Sequence, residues 1–394
     1  MTTIPSSSAT SSQGRADSSQ LITLTASKST SNLALRWVTA FLPTLERAFS
    51  TSTGTITGIL GLAELGGLTT PLLGKTLDRG RHRLVFVISL LLVTISSVIA
   101  LGGSIVTFAI AMAFLIVGVS NLTVAGLAFI GDRVSYSSRG RAIGIFETSW
   151  ALSLLVGAPF LAFLIDRYGW RSAYIALAVL TAIAALATMR ALPAPDVHER
   201  STKSSILGGL PRNAWPPLIA SAGVAGAGIS VFVVIGAWLS DDFGLSVTGL
   251  GAIATGMGAA ELASSSSVAL LADRLGIRRS VALGGLLLGI GLLIIALSRS
   301  SVAVALIGLL ILVIGFEYGF VSSLSLMSEA APGARGTALA VGNALGTITR
   351  ASLIVLSGQC YERFGILGTA VVSAAALTVA GIALTIDRRR PVGQ

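Results

Sequence analysis

Three glutamates lie in the middle of long apolar stretches of this sequence, and their chemistry is the first indication of function. They are Glu64, Glu261 and Glu317. If these stretches cross a bilayer, a charge at their centre costs roughly 2.5–3.5 kcal/mol, so each carboxylate needs a reason to be there. A carboxylate in a partly dry cavity can bind and release a proton near neutral pH. The three glutamates are therefore candidate proton carriers.

Two arginines, a fourth glutamate and an asparagine also interrupt apolar stretches; they are Arg36, Arg350, Glu147 and Asn121. Because arginine does not usefully deprotonate, Arg350 is either the fixed partner of a glutamate or a docking point for an anionic group. The alternative is a static role, in which Arg350 pairs with Glu317 and Arg36 pairs with Glu147 to order the helices. Asn121 either contacts a substrate or hydrogen-bonds to a neighbouring helix.

The composition indicates that membrane-spanning helices hold these residues. Of the 394 residues, 53% are hydrophobic and 11% are charged, whereas a soluble protein carries roughly 25% charged residues. A soluble fold could not hide so much apolar surface. One cysteine excludes an internal disulfide framework, and two histidines cannot build a zinc site. The sequence shows no nucleophile–base pair, metal-ligand set or phosphate-binding loop, so we expect no enzyme, no metal and no cofactor.

Since a transmembrane helix needs roughly 20 largely apolar residues, we predict an all-α membrane protein with twelve spans. They are 31–50, 54–74, 84–103, 105–130, 140–164, 172–190, 214–239, 247–271, 280–298, 301–328, 337–360 and 365–386. Two bundles of six helices, 31–190 and 214–387, are expected on either side of a cytoplasmic linker, 191–213. Residues 1–30 are Ser/Thr-rich and predicted to be a disordered cytoplasmic tail, and 388–394 to be a basic one.

The distribution of positive charge predicts the orientation. The net charge is +10, which would suit nucleic-acid binding, but the lysines and arginines lie in short loops between apolar stretches. With the N-terminus inside, the inner segments carry 20 lysines and arginines and the outer segments carry five. This bias predicts that both termini are cytoplasmic, with a bilayer as partner and no nucleic acid.

The two halves of the chain resemble each other. Glu64 and Glu261 are 197 residues apart, as are Gly118 and Gly315, and 197 is half of 394. Repeated halves with a binding site at their junction, near the bilayer midplane, are typical of alternating-access transporters.

The loops after the second and eighth spans point to a family. The first reads Gly74-Lys75-Thr76-Leu77-Asp78-Arg79-Gly80-Arg81-His82-Arg83, and the second reads Leu271-Ala272-Asp273-Arg274-Leu275-Gly276-Ile277-Arg278-Arg279. Both resemble the Asp-Arg-x-Gly-Arg-Arg loop of the major facilitator superfamily. The resemblance extends over the whole chain through the number of helices and the duplication. It implies two pseudo-symmetric six-helix bundles that enclose a central cavity.

In the resembled family these loops form a cytoplasmic gate. On this chain the gate would consist of Gly74, Asp78, Arg79, Arg81 and Asp132 in the first half, and of Asp273, Arg274, Arg278 and Glu329 in the second. Asp78 can cap a helix N-terminus, while the arginines can pair with Asp132 and Glu329. The alternative is that the arginines only follow the positive-inside rule.

We therefore expect a secondary transporter that works by alternating access. Proton-coupled export of small amphiphilic or drug-like compounds is the leading interpretation, and it rests on the duplicated bundle, the paired inner gates and the midplane glutamates. The segment Gly157-Ala158-Pro159, which resembles part of the antiporter pattern of the fifth span, favours export. The alternative is a carrier for uptake or exchange of a small organic anion that is anchored by Arg350. A membrane sensor is disfavoured because the sequence offers no sizeable soluble domain. Expected partners are the substrate, a proton and the bilayer of the plasma membrane, with the monomer as the working unit.

Overall fold

The computed structural model describes residues 17–193, 210–298, 301–331 and 334–388, and this part of the chain is helical throughout. The first half contains α1 (Ser18–Ala40), α2 (Leu42–Phe49), α3 (Thr53–Glu64), a 3₁₀ helix (Leu65–Leu73), α4 (Gly74–Asp78), α5 (His82–Ala100), α6 (Ile105–Arg133), α7 (Tyr136–Glu147), α8 (Ser149–Leu155), α9 (Gly157–Tyr168) and α10 (Trp170–Ala191). The second half contains a short 3₁₀ helix (Arg212–Ala214), α11 (Trp215–Phe232), α12 (Ile235–Phe243), α13 (Val247–Leu275), α14 (Ile277–Leu297), α15 (Val302–Glu329) and α16 (Arg335–Arg388).

Nine helical segments in the described ranges are long and apolar enough to cross a membrane. One of them, Thr337–Asp387, has 51 residues and the length of two spans; it breaks at Gly365, whose φ of +60° suits glycine. Two further helices, α1 and α13, are long enough, with 23 and 29 residues, but each carries polar residues of the candidate site. The fold is an all-helical membrane fold, and the count of twelve spans stays a prediction.

The predicted boundary of the first span is wrong. The helix begins at Ser18, not at residue 31, and the backbone N–H of Asp17 donates to the Gln20 side chain at its start. The hydroxyls of Ser27 and Thr188 lie 3.1 Å apart, which ties α1 to α10. Residues 18–30 were predicted to be disordered because their composition is polar, but packing against neighbouring helices holds them in a helix. The remainder of that tail, most of the linker and residues 389–394 lie outside the described residues.

The internal duplication is visible in how the helices pack. A Cβ added to Gly118 of α6 would lie 2.8 Å from the Ser89 carbonyl oxygen of α5. A Cβ on Gly315 of α15 would lie 2.3 Å from the Leu288 nitrogen of α14. The two glycines, 197 residues apart, therefore allow the same close helix contact in each half.

Two seams join the halves. In the first seam α3 packs against α16, and in the second seam α8 and α9 pack against α13. A Cβ on Gly61 would lie 2.7 Å from the Ala351 carbonyl oxygen in the first seam, and a Cβ on Gly258 would lie 2.8 Å from the Ala151 carbonyl oxygen in the second. Gly61 and Gly258 are again 197 residues apart. The seams are therefore pseudo-symmetric equivalents.

The two ends of the molecule differ. We call the end with Phe49, Thr53 and Phe243 the contact end, because the halves touch there: the Gly54 N–H donates to Glu362 across the first seam, 2.7 Å away. We call the opposite end, with the arginine-rich loops after α4 and α13, the basic end. Each ion pair recorded between described residues at the basic end joins helices of one half. The halves are thus held together from the contact end to the middle.

Candidate functional site

A cavity of about 80 Å³ lies between the halves at mid-depth. It is lined by residues of α1, α3, α6, α8, α11, α12, α13 and α16, so both halves build it. Its wall is apolar, with Ile116, Trp150 and Phe232 among the larger side chains, apart from Thr39 and the two charged residues Arg36 and Glu64. The volume is below the roughly 300–1,000 Å³ of sites that enclose drug-sized ligands, so this conformation accommodates only a small molecule or part of a larger one.

Arg36 and Glu261 form a buried ion pair across the second seam. Arg36 donates from Nη1 and Nη2 to the two carboxylate oxygens of Glu261, at 2.7 and 2.5 Å. The Arg36 side chain is 8% exposed and the Glu261 side chain is fully buried. Arg36 Nη1 also donates to the Trp150 carbonyl oxygen at 2.9 Å, and the guanidinium lies 4.2 Å from the centroid of the Trp150 ring. The bidentate geometry and the aromatic face both stabilise the buried charges.

Arg350 and Glu64 form a second ion pair, across the first seam. Nε and Nη2 of Arg350 both lie 2.7 Å from Oε1 of Glu64. The side chains are 29% and 16% exposed, so this pair is open to water. Glu64 is the last residue of α3, where the chain changes to a 3₁₀ helix. Because the C-terminal end of a helix disfavours a negative charge, Glu64 gains from a cationic partner.

Glu317, on α15, has a hydroxyl partner in place of a cation. The Ser265 hydroxyl of α13 donates to Oε1 of Glu317 at 2.5 Å, and Glu317 is 7% exposed. Glu317 is not among the described residues that line the cavity.

Glu147 ends α7, at the break before α8, and bonds to Lys28 of α1. The Lys28 Nζ lies 2.7 Å from Oε2 of Glu147 and 4.3 Å from the centroid of the Phe146 ring. One turn further along α1, the Asn32 amide donates to the Ser149 hydroxyl at 3.3 Å.

Asn121, on α6, is buried, and its side-chain oxygen has no recorded hydrogen-bond partner in the described part of the chain.

The static ion pairs considered from the sequence are wrong in their partners. Arg350 bonds to Glu64 and not to Glu317, and Arg36 bonds to Glu261 and not to Glu147. The reason is that both arginines reach the opposite half, whereas the pairs considered from the sequence join residues of the same half.

Sequence reasoning also missed Lys28, Ser265 and Trp150. A usable signal existed: Lys28, Asn32 and Arg36 recur every four residues, which places them on one helix face.

At the basic end, the pairs of arginines with Asp132 and Glu329 stay a prediction, and two other pairs are seen there. The distance between Nε2 of His82 and Oδ2 of Asp132 is 2.8 Å, because His82 begins α5 opposite the end of α6. The distance between Nε of Arg278 and Oδ2 of Asp387 is 2.5 Å, because α14 begins beside the end of α16. Each pair lies within one half, so neither closes the basic end.

Five other predicted gate residues are exposed at the basic end, and their side chains have no recorded hydrogen bond or ion pair to described residues; they are Asp78, Arg79, Arg81, Arg274 and Glu329. A Cβ on Gly74 would meet nothing within 4 Å. The side chain of Asp273 lies outside the described residues. The gate itself therefore stays a prediction.

Comparison with known proteins defines the class. The family model of the Major Facilitator Superfamily matches residues 27–221 and 218–394. Together with the helical fold and the cavity between repeated halves, this match shows that the chain belongs to the major facilitator superfamily of membrane transporters.

Individual relatives agree with this assignment. The Bacillus subtilis (strain 168) protein "Uncharacterized MFS-type transporter YwfA" is 26% identical over 377 residues, which are 91% of this chain and 89% of that protein. The crystal structure of a D-xylose-proton symporter matches with a TM-score of 0.75 and 15% identity, over 94% of this chain and 96% of that one. The crystal structure of the human organic anion transporter MFSD10 (TETRAN) matches with a TM-score of 0.70 and 17% identity, over 93% and 99%. At these identities the two structures establish the fold alone.

Proposed function

We propose that this protein is a secondary active transporter that exports small amphiphilic compounds in exchange for protons. The observation that carries the proposal is the composition of the central cavity. Its wall is apolar, yet it includes the carboxylate of Glu64 and lies between two ion pairs that cross the halves. An apolar wall suits an apolar body, and a partly exposed carboxylate suits a proton or a cationic group.

The two seams suggest how the cavity changes access. In this conformation both seams are packed toward the contact end. Access from the contact end requires the seams to separate, and separation breaks the ion pairs Arg36–Glu261 and Arg350–Glu64. Glu64 without Arg350 is then free to bind a proton or a cationic group of the substrate. Rocking of one repeat against the other around a midplane site is the movement expected of such a fold.

The proposed direction rests on the predicted orientation. With both termini inside, the basic end faces the cytoplasm, so a conformation closed at the contact end receives substrate from the cytoplasm. The segment Gly157-Ala158-Pro159 favours export because it resembles part of the antiporter pattern of the fifth span. A Cβ on Gly157 would lie 2.6 Å from Leu33, so this glycine permits the close packing of α9 on α1. We place the protein, as a monomer, in the plasma membrane.

Reconstitution into liposomes tests the proposal. An imposed pH gradient should drive accumulation of a fluorescent amphiphilic cation such as ethidium, and an uncoupler should abolish it. We expect Glu64→Gln to reduce the driven flux at least tenfold, because an amide binds neither a proton nor a cation. Asp166→Asn, which removes an exposed carboxylate outside the cavity, is the control and should match the wild type. The proposal is overturned if the gradient drives no flux of ethidium or of a neutral amphiphilic dye.

A second candidate is transport of a small organic anion, which the geometry of Arg350 favours. Its Nη1 has no recorded partner in the described ranges, and its side chain is partly exposed, so the guanidinium can donate hydrogen bonds to an anionic ligand as well. Arg350→Lys keeps the positive charge beside Glu64 but loses the planar fork. If the substrate is an anion, binding of a fluorescent carboxylate should weaken at least tenfold in Arg350→Lys. Binding of ethidium should change less than twofold in the same variant.

A further inference from the structure

We infer that Glu317 is a proton-binding site outside the substrate cavity, and that α13 couples it to the second seam. The inference rests on the proposed proton coupling and assigns the proton to one side chain. It predicts that proton and substrate act on each other through the movement of a helix and not by competition for one carboxylate.

The first argument is the pairing of the three midplane glutamates. Glu64 and Glu261 each bond to an arginine. Glu317 is also buried, at 7% exposed, but its side chain has one recorded partner in the described chain, the hydroxyl of Ser265. A charged carboxylate that is buried without a cation is strongly disfavoured, and the group neutralises instead. Glu317 therefore holds a proton in this conformation.

The second argument is that the charged groups around Glu317 are already engaged. Arg36, from α1, donates from Nη1 and Nη2 to Glu261 and from Nη1 also to the Trp150 carbonyl oxygen. Glu261, from α13, carries the same charge as an ionised Glu317 and would repel it. Glu147, from α7, bonds to Lys28.

Among the side chains that the structure describes, no hydrogen bond or ion pair joins Glu317 to a cation of the helices packed against α15. The helix α11 contains no charged residue. On α14, Arg278 bonds to Asp387 at the basic end and Arg279 is exposed there. On α16, Arg350 bonds to Glu64.

The third argument is the position of Ser265 on α13. Ser265 follows Glu261 by four residues, so both lie on one face of the helix. The same helix carries Gly258, which makes the close contact of the second seam. A movement of α13 relative to both α8–α9 in the first half and α15 in its own half would therefore break Arg36–Glu261 and Ser265–Glu317 together.

Separation of the second seam then releases the proton. Glu317 loses its hydroxyl partner and meets water, and Arg36 loses Glu261 and can stabilise the new carboxylate. The O–H bond of the Glu317 carboxyl breaks, the electron pair stays on the carboxylate, and the proton passes to water. Rebinding of a proton removes that charge and permits the seam to close again.

Infrared difference spectroscopy of purified protein at stepped pH tests the proton site without any substrate. We expect the wild type to show a protonated carboxyl band at neutral pH that is absent in Glu317→Gln. The band should persist in Glu64→Gln, and in Ser265→Ala it should shift in frequency, because the hydrogen bond from the hydroxyl is lost. A band that survives in Glu317→Gln, or that is missing in the wild type, overturns the inference.

Distances between spin labels test the coupling. Labels at Arg167 on α9 and Thr248 on α13, both exposed positions, are introduced into a Cys360→Ser background. The distance should lengthen as the pH rises in the wild type and stay short in Glu317→Gln at every pH. An equal response in both proteins, or none in the wild type, contradicts the coupling. If both spectroscopic results hold but a pH gradient drives no flux, the proposed function fails while the proton site stands.

Discussion

The two ion pairs that cross the halves have the same composition but different environments. Arg36–Glu261 is bidentate, buried and covered by the ring of Trp150. Arg350–Glu64 uses one carboxylate oxygen and is partly exposed. Glu64 and Glu261 occupy equivalent positions in the repeat, so the difference comes from their partners: one arginine is on α1 and the other is on α16.

This asymmetry indicates that the two ion pairs have different roles, which we call the division of labour between them. A buried pair is costly to break once formed, because each charge would be left without a partner in a medium of low dielectric constant. An exposed pair contributes little to stability, because water and salt screen it. We therefore expect Arg36–Glu261 to determine how strongly the halves hold together, and Arg350–Glu64 to respond to ligands.

The largest expected effect is the difference in stability between variants that remove the glutamate from one ion pair or from the other. Glu261→Gln leaves Arg36 buried without a counter-charge and should cost about 3–5 kcal/mol of stability. Glu64→Gln should cost at most about 1 kcal/mol, because Arg350 can turn to water. Thermal unfolding in detergent measures both.

The double variant Arg36→Gln/Glu261→Gln is the control for this contrast, and it should recover part of the loss because no uncompensated charge remains. Equal destabilisation by Glu64→Gln and Glu261→Gln would contradict the division of labour.

Wedges in the two seams should have an intermediate effect. Gly258→Leu and Gly61→Leu place a side chain where backbone atoms lie less than 3 Å from the added Cβ, and overpacking of this kind costs roughly 1–3 kcal/mol. Gly258→Leu should lengthen the distance between labels at Arg167 and Thr248, which lie across the second seam. Gly61→Leu should lengthen the distance between labels at Thr55 and Arg363, which lie across the first seam.

Gly58→Leu and Gly256→Leu are matched controls for the wedges, because a Cβ at either position meets nothing within 4 Å. If the controls open the seams as much as the wedges do, close glycine contact is not what holds the halves together.

Of these features, the ring of Trp150 should contribute least to the stability of the fold. Trp150→Leu removes the aromatic face from Arg36 but keeps the carbonyl that accepts its hydrogen bond, so we expect a loss of about 0.5–2 kcal/mol. Trp215→Leu, at an exposed tryptophan of α11, is the comparison. The midpoint temperature of thermal unfolding should be several degrees lower in Trp150→Leu than in Trp215→Leu. The same midpoint in both variants would show that the cation–π interaction does not contribute to stability.

The residues of the site were largely predictable from the sequence, whereas their partners were not. Glu64, Glu261, Glu317, Arg36 and Arg350 stand out because charges are rare within apolar stretches. No local pattern specifies that Arg36 meets a residue 225 positions away. The start of α1 was also missed, since its polar residues resemble a tail until they pack against α7, α8 and α10.

The amino-acid sequence by itself determined that the chain is a duplicated, all-helical membrane transporter of the major facilitator superfamily with charges at mid-depth. Hydropathy and repeat spacing are local properties of a chain, and the bilayer accepts few folds. Only the tertiary structure decided which charges meet across the halves, that His82 bonds to Asp132, and that Glu317 has a hydroxyl for a partner. Those contacts depend on the relative position of helices from distant parts of the chain, and differences of a single helical turn change every partner.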